Sequence, residues 1–337
     1  MRKYLLPREG KFYKANMHMH TTVSDGRFTP AEAKERYMKE GYSIIAFTDH
    51  EVMIPHPELR DESFLPITSY ELSIVNDTPW PLSKCYHLNL YAPVIERDLT
   101  KTFSEVHAWG NSRDHISEEQ RAISMPKRTY TKEYAQMVIN MANEEGCLVS
   151  YNHPVWSLQN YSDYSGLKGL WGVEWHNTDC RAMETTDTVQ PLRDLWAEGE
   201  LVYPLATDDC HSERDVAGGW IQVKAKSLDY DTVFRALKRG AFYSSNGPAI
   251  KSLYVEDGFI HIRTSAAAKI SVISNYRWTG CAVANGKPLT SATIDVRKFF
   301  EILEKAPKSH TPFLRIEVID KSGNRALTRP YKIKELK

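Results

Sequence analysis

The chain has 337 residues, long for a single small core and suited to a large barrel or a barrel with an added domain. Its 43 Lys and Arg balance 43 Asp and Glu, so no net field selects nucleic acid or a membrane surface, and an anionic substrate needs a local patch or metal charge. Apolar and charged shares of 42% and 26%, five scattered cysteines without C-x-x-C spacing, and the absence of a secretory leader or membrane span give the expectation of a cytoplasmic protein with reduced thiols.

Residues 12–18 read as a strand. Thr29 and Pro30 open a helix that runs to about residue 40, before Gly41. Residues 43–48 form a strand of fully buried type ending at Asp49 and His50, and 65–72 and 86–91 are two more candidates. The pattern then breaks. Segment 96–129 is polar, of mixed charge and placed between two barrel strands, so it reads either as a lid over the site or as a surface excursion. Thr131 caps a long helix whose apolar residues Tyr134, Val138, Met141 and Ala142 recur at helical spacing. Strands at 147–151, 172–175 and 201–207 complete the series.

Strand, polar residue at the strand's C-terminal end, helix: this repeated logic belongs to a β/α barrel, which presents its chemistry on the loops after its strands. The pattern allows seven or eight strands. After Gly240 the composition shifts. Residues 243–248 are turn-rich, and alternating runs at 253–255, 259–263, 269–273 and 314–319 follow. Residues 1–247 therefore read as the barrel and 248–337 as a small all-β, sandwich-like domain.

The chemistry begins at His18-Met19-His20. In an extended strand residues i and i+2 face one side, so both imidazoles can hold one cation. An isolated pair is a weak signal, but matching pieces recur at Asp25, Thr48-Asp49-His50, Glu71, His87, Asn152-His153-Pro154 and Asp208-Asp209-Cys210-His211. The same alternation turns Cys210 away, into packing. Imidazole and carboxylate without thiolate suit Zn²⁺, Mn²⁺ or Fe²⁺. Two such cations a few Å apart acidify a bridging water and polarise a bound oxygen, so no Ser, Cys or Lys nucleophile is needed.

In order and residue type, His18-x-His20, Ser24-Asp25-Gly26, Thr48-Asp49-His50, Glu71, His87, Asn152-His153-Pro154 and Asp209-x-His211 resemble the motif series of the PHP (polymerase and histidinol phosphatase) superfamily over about residues 12–245. Segments 239–248 and 320–326 are similar to the branch of CehA/McbA-like metallohydrolases. The resemblance implies a distorted TIM-like (β/α)7 barrel, two to three divalent ions in a trinuclear arrangement, and hydrolysis by a metal-bridging hydroxide. It implies that His18, His20, Glu71 and Asp209 hold one ion. Glu71 bridges to a second held with His87 and His153, and Asp25, His50 and His211 hold a third.

Asp49 and Asp208 adjoin ligands and are expected to orient imidazoles. His176, near a strand end, is a candidate to contact phosphate or protonate a leaving group, and Arg181 follows it closely. Arg113 and Arg128, in segment 96–129, are candidates for bidentate capture of phosphate. His56, His107, His115, His261 and His310 read as structural or surface residues. The leading expectation is a metal-dependent phosphoesterase acting on a small phosphorylated molecule, with no membrane partner and with nucleic acid only as a nucleotide or short oligonucleotide. The alternatives are hydrolysis of a carboxyl ester, carbamate or amide by the same centre, and a catalytically silent metal-binding scaffold.

Overall fold

Short apolar runs separated by capped helices build a mixed α/β architecture. The computed structural model describes residues 2–183, 187–305 and 311–337, so His310 lies outside the described residues. Its strands are β1 (Lys3–Tyr4), β2 (Lys11–Asn16), β3 (Tyr42–Phe47), β4 (Leu65–Val75), β5 (Cys85–Tyr91), β6 (Leu148–Tyr151), β7 (Gly172–Asn177), β8 (Tyr203–Thr207), β9 (Trp220–Ala225) and β10 (Phe242–Ser245). Then follow β11 (Ile250–Glu256), β12 (Phe259–Ala267), β13 (Lys269–Ser274), β14 (Thr279–Val283), β15 (Leu289–Asp295), β16 (Phe313–Ile319), β17 (Arg325–Thr328) and β18 (Tyr331–Lys332).

Strands β2 to β8 lie side by side in chain order, with β9 against the outer edge of β2. β3, β4 and β6 are almost continuously buried, as strands covered on both faces are. The first connecting helix, Pro30–Lys39, starts at a capping box in which Thr29 and Glu32 satisfy one another's backbone N–H groups. It buries Ala33 and Tyr37. Helix Lys132–Glu144 buries Ala135, Val138, Ile139 and Ala142, a stripe turned slightly from the expected one, with Tyr134 only partly covered.

The parallel run from β2 to β8 is broken at one strand. β5 runs antiparallel to both β4 and β6, so β4 and β5 form a long hairpin and the ligand-bearing end of β5 is its start rather than its C-terminal end. The described strands also do not close the barrel by hydrogen bonds. β8 ends the paired path and packs beside β9 and β10 without a ladder between them. At that seam the backbones nearly touch: a Cβ on Gly219 would lie 2.5 Å from the Thr207 carbonyl oxygen, and Asp208 Oδ1 accepts the Gly219 N–H at 2.7 Å. Glycine is what lets the two strand ends approach.

Beyond residue 247 the chain is not a detached all-β unit. β10 pairs with β17, so β13, β14, β16 and β17 extend the barrel's own sheet, while β1, β11, β12 and β15 form a second sheet facing it. Leu253, Ile262, Val272 and Ile316 fill the space between, together with Phe299 of helix Arg297–Leu303. The turn-rich reading of 243–248 holds only in part, since Phe242–Ser245 is a strand. Its serines tolerate burial because Ser244 Oγ accepts the Trp175 indole N–H and Ser245 Oγ donates to the Pro248 carbonyl. No described helix is long and apolar enough to cross a membrane.

Candidate metal centre

Nine side chains converge at one end of the β2–β8 sheet: His18, His20, Asp25, His50, Glu71, His87, His153, Asp209 and His211. His18 and His20 follow β2, His50 follows β3, and His153 and Asp209 follow β6 and β8. His153 and Asp209 hold positive φ angles of 26° and 52°, and Glu51, after His50, one of 66°. Non-glycine residues in that region are uncommon and concentrate at functional sites. Gly26 closes the turn bearing Asp25; a Cβ there would sit 2.2 Å from the His20 carbonyl oxygen.

Glu71 is the hub. Its carboxylate oxygens lie 3.2 Å from His18 Nε2, 3.2 Å from His87 Nδ1, 3.2 Å from His50 Nδ1, 3.4 Å from His153 Nε2 and 3.5 Å from His20 Nε2. Asp209 Oδ1 is 3.1 Å from both His18 Nε2 and His20 Nε2. His211 Nε2 is 3.4 Å from Asp25. Ligand atoms sharing a cation at ~2.0–2.2 Å stand roughly 3.0–3.6 Å apart, the spacing seen around Glu71 and Asp209 Oδ1, while Asp25 stands 3.7 Å from His20 and 3.8 Å from His50. His20 stands between two groups: its ring is 4.2 Å from that of His50 and 4.3 Å from that of His211, so it also belongs with Asp25.

Tautomers sharpen the case. His18 Nδ1 donates to Glu174 at 2.8 Å, which leaves Nε2 as a lone pair, yet Nε2 faces His20 Nε2 at 3.2 Å. Two lone pairs at that distance require a cation or a proton between them. Buried His20 Nδ1, His50 Nδ1, His87 Nδ1 and Asp209 Oδ1 also lack hydrogen-bond partners. The donor set therefore fits divalent cations.

Charge follows the same logic. Burial opposes ionisation of Glu71 and Asp209, but the imidazoles of His87 and His18 hold Glu71, and those of His18 and His20 hold Asp209, well below the usual carboxylate range. Burial likewise disfavours charge on His211, but its bond to Asp25 and the field of Asp209 raise it to about 10. Burial and the neighbouring His20 push His50 down to about 3. The pocket is a trap for positive charge, in which protons and metal ions compete.

Glu174, within β7, is a residue the motif reading passed over. Besides His18, its oxygens accept Thr207 Oγ1–H at 2.6 Å, the His153 backbone N–H at 3.0 Å and Asn177 Nδ2 at 3.0 Å. Asn152 Nδ2 donates to Glu71 at 2.8 Å. The expectation that Asp49 and Asp208 orient imidazoles is not met among the described residues, where no hydrogen bond of either reaches an imidazole. Asp49 takes Thr21 and Ser24 and so shapes the turn carrying Asp25; Asp208 takes Tyr37, Thr178 and the Ala217 and Gly219 N–H groups.

Segment 96–129 lies against the centre as a fixed wall. Ser112 Oγ donates to the His50 carbonyl at 2.6 Å, and the Trp109 ring is 5.0 Å from that of His50. Arg128 is fully buried rather than open to substrate. Its guanidinium donates to Glu51 at 2.6 Å, to the Ser73 carbonyl at 2.8 Å and to the Thr102 carbonyl at 3.2 Å. His107 Nε2 accepts the Arg128 backbone N–H. Its charge pins the segment to β4.

A chamber of about 860 Å³ opens over the cluster, lined among others by Asp25, His50, Glu71, His87, Asp209 and His211. Arg113 lines it and Arg128 does not. His176 lies buried beside it, with Nδ1 at 2.9 Å from Asp187 and Nε2 at 3.3 Å from Thr178 Oγ1, and lines only a water-sized void of about 20 Å³. Arg181 is exposed, 3.9 Å from Asp187. A bulge between Glu174 and His176 breaks the β7 alternation and parts these two side chains, sending Glu174 to His18.

No family model and no curated protein matches the chain. Among solved structures it is similar to a two-domain protein from Bacteroides vulgatus containing a predicted PHP-like metal-dependent phosphoesterase, at 14% identity over 98% of this chain and 97% of that one, TM-score 0.45. A protein from Bifidobacterium adolescentis assigned as a metal-dependent phosphoesterase is 17% identical over 70% of this chain and 98% of that one, TM-score 0.40. The lesion-specific endonuclease EndoQ of Pyrococcus furiosus is 15% identical over 68% of this chain and 56% of that one, TM-score 0.40. The first two neighbours are metal-dependent phosphoesterases by description.

Two substitutions test the supports of the centre. Glu174→Gln keeps the shape but loses the charge that fixes the His18 tautomer, and should weaken metal affinity about 10–100-fold in chelator competition while leaving circular dichroism unchanged. Arg128→Met strands Glu51, whose carboxyl burial already raises above its usual value. The loss should be about 3–5 kcal/mol. A carboxyl raised in the folded state binds its proton more tightly there than when unfolded, so its stability contribution falls as pH rises. The drop in melting temperature relative to wild type should therefore be larger at pH 8 than at pH 5.

Proposed function

We propose that the chain is a metal-dependent hydrolase of PHP type that cleaves a phosphate ester, with two to three divalent ions held by the nine converging side chains. The observation that carries this reading is the ring of imidazoles and carboxylates around buried Glu71, open to a chamber large enough for an organic substrate. The CehA/McbA-like branch is supported by the contact between the two segments that resemble it, where Asn246 Oδ1 accepts the Arg325 N–H at 2.7 Å.

His18, His20, Glu71 and Asp209 would hold one ion, Glu71 with His87 and His153 a second, and Asp25, His50 and His211 a third. Such ions, when bound, acidify water and polarise a phosphoryl oxygen. The protein's own part is orientation. Glu174 keeps the His18 Nδ1 protonated and Nε2 free. Asn152 fixes one oxygen of Glu71, and His211 Nδ1, 2.8 Å from the Asp209 carbonyl, turns Nε2 toward Asp25. Arg113, on the chamber wall with its Nε bonded to the Ala108 carbonyl, would meet the substrate's anion.

The test is a panel of p-nitrophenyl phosphate, bis-p-nitrophenyl phosphate and p-nitrophenyl acetate with Mn²⁺- or Zn²⁺-loaded protein. Turnover of a phosphate ester is expected, abolished in His18→Ala and lowered by several orders of magnitude in Asp209→Asn with the fold kept. Hydrolysis of the acetate alone would move the reaction to carboxyl esters. Silence on all three with the metals bound would leave a binding scaffold, and wild-type rates in either variant would remove that residue from the site.

A further inference from the structure

The chamber is lopsided. On one flank lie Asp25, His211, Asp179 and Arg214, with Arg214 Nη2 donating to Asp179 at 2.7 Å. The other flank is apolar and rich in large rings. Trp80 and Trp156 are 6.0 Å apart and tilted by 38° rather than stacked in parallel. Trp156 is 5.1 Å from the ring of His153 and 5.9 Å from that of His87, which puts it directly beside two metal-ligand candidates. Trp109 stands over His50 on segment 96–129.

Val75, Val106 and Leu158 complete this wall. Trp80 is 74% exposed, Val106 65% and Leu158 52%, an unusual amount of bare apolar surface to gather at the mouth of a polar site. The side-chain hydroxyls lining the chamber belong to Ser73, Thr78 and Ser83. A glycerol phosphate would leave most of the 860 Å³ unfilled and would not reach across to Trp80.

We infer that the substrate joins its anionic, metal-facing group to a planar, largely apolar ring that lies on Trp80 and Trp156. The inference rests on the metal-centre reading and specifies which esters the centre accepts. Indole faces favour a flat partner, since stacking and burial act together there, and the position of Trp156 beside His87 and His153 sets the ring next to the scissile bond. Trp80 and Trp156 are then specificity residues that contact substrate without touching the ions.

Binding without chemistry separates this from any difference in leaving-group reactivity. Metal-loaded protein is titrated calorimetrically with phenylphosphonate and methylphosphonate, and with benzoate and acetate. The ring-bearing member of a pair should bind at least about tenfold more tightly in wild type. In Trp80→Ala/Trp156→Ala, whose metal content is checked by elemental analysis, that preference should fall below about threefold while the affinity for the methyl compound stays unchanged. Equal affinities within both pairs in wild type, or a preference that survives the double substitution, would overturn the inference. Failure of both phosphonates beside a retained benzoate preference would instead overturn the phosphate-ester reading and leave the ring site standing.

Discussion

Glu71 is a carboxylate with almost no solvent contact, set within hydrogen-bonding range of five imidazoles. Burying such a charge costs several kcal/mol unless opposite charge meets it, and the neighbouring Asp209 adds a second negative charge with its own demand. Neutral imidazoles cannot supply what is missing, because their lone pairs converge on the same space as the carboxylates. The cluster is stable when positive charge enters it, as protons or as the metal ions that compete with them. Much else in this half of the molecule serves to hold that arrangement open.

Support comes from charged and polar residues one layer out, each fixed by a strand end. Glu174 ties β7 to the loop after β6 and to His18, so three elements share one carboxylate. Asp49 and Asp208 act on backbone rather than on rings: one shapes the turn that delivers Asp25, the other bridges the seam where β8 and β9 approach without pairing. Arg128 and Glu51 do the same for segment 96–129. A segment anchored by a buried ion pair and by Ser112 on the His50 carbonyl is a wall of the chamber, and its tryptophan becomes part of the site.

The candidate positions His18, His20, His50, His153, Asp209 and His211 are legible in the sequence because each rests on a short local rule, whereas Glu71 has only its place on a strand. Alternation pairs His18 with His20 and Asp209 with His211, and a polar residue after an apolar run marks His50 and His153. Glu174 is not legible that way. It has no flanking motif, and a bulge of one residue in β7 separates it from His176, which alternation had put on the same face. Arg128 looks like a solvated charge because its partner Glu51 is 77 positions away. The antiparallel course of β5 is hidden for a related reason: a buried strand reads the same in either direction. Sheet continuity through β10 and β17 depends on pairing between segments more than 80 residues apart, which no local pattern records.

Anomalous diffraction from crystals of the Mn²⁺- or Zn²⁺-loaded protein, collected at the absorption edge of the ion, tests the central claim most directly. Peaks within about 2.0–2.3 Å of the Glu71 carboxylate and of the imidazoles around it are predicted. Ions bound only elsewhere on the molecule, or none at Glu71 under any loading condition, would contradict it.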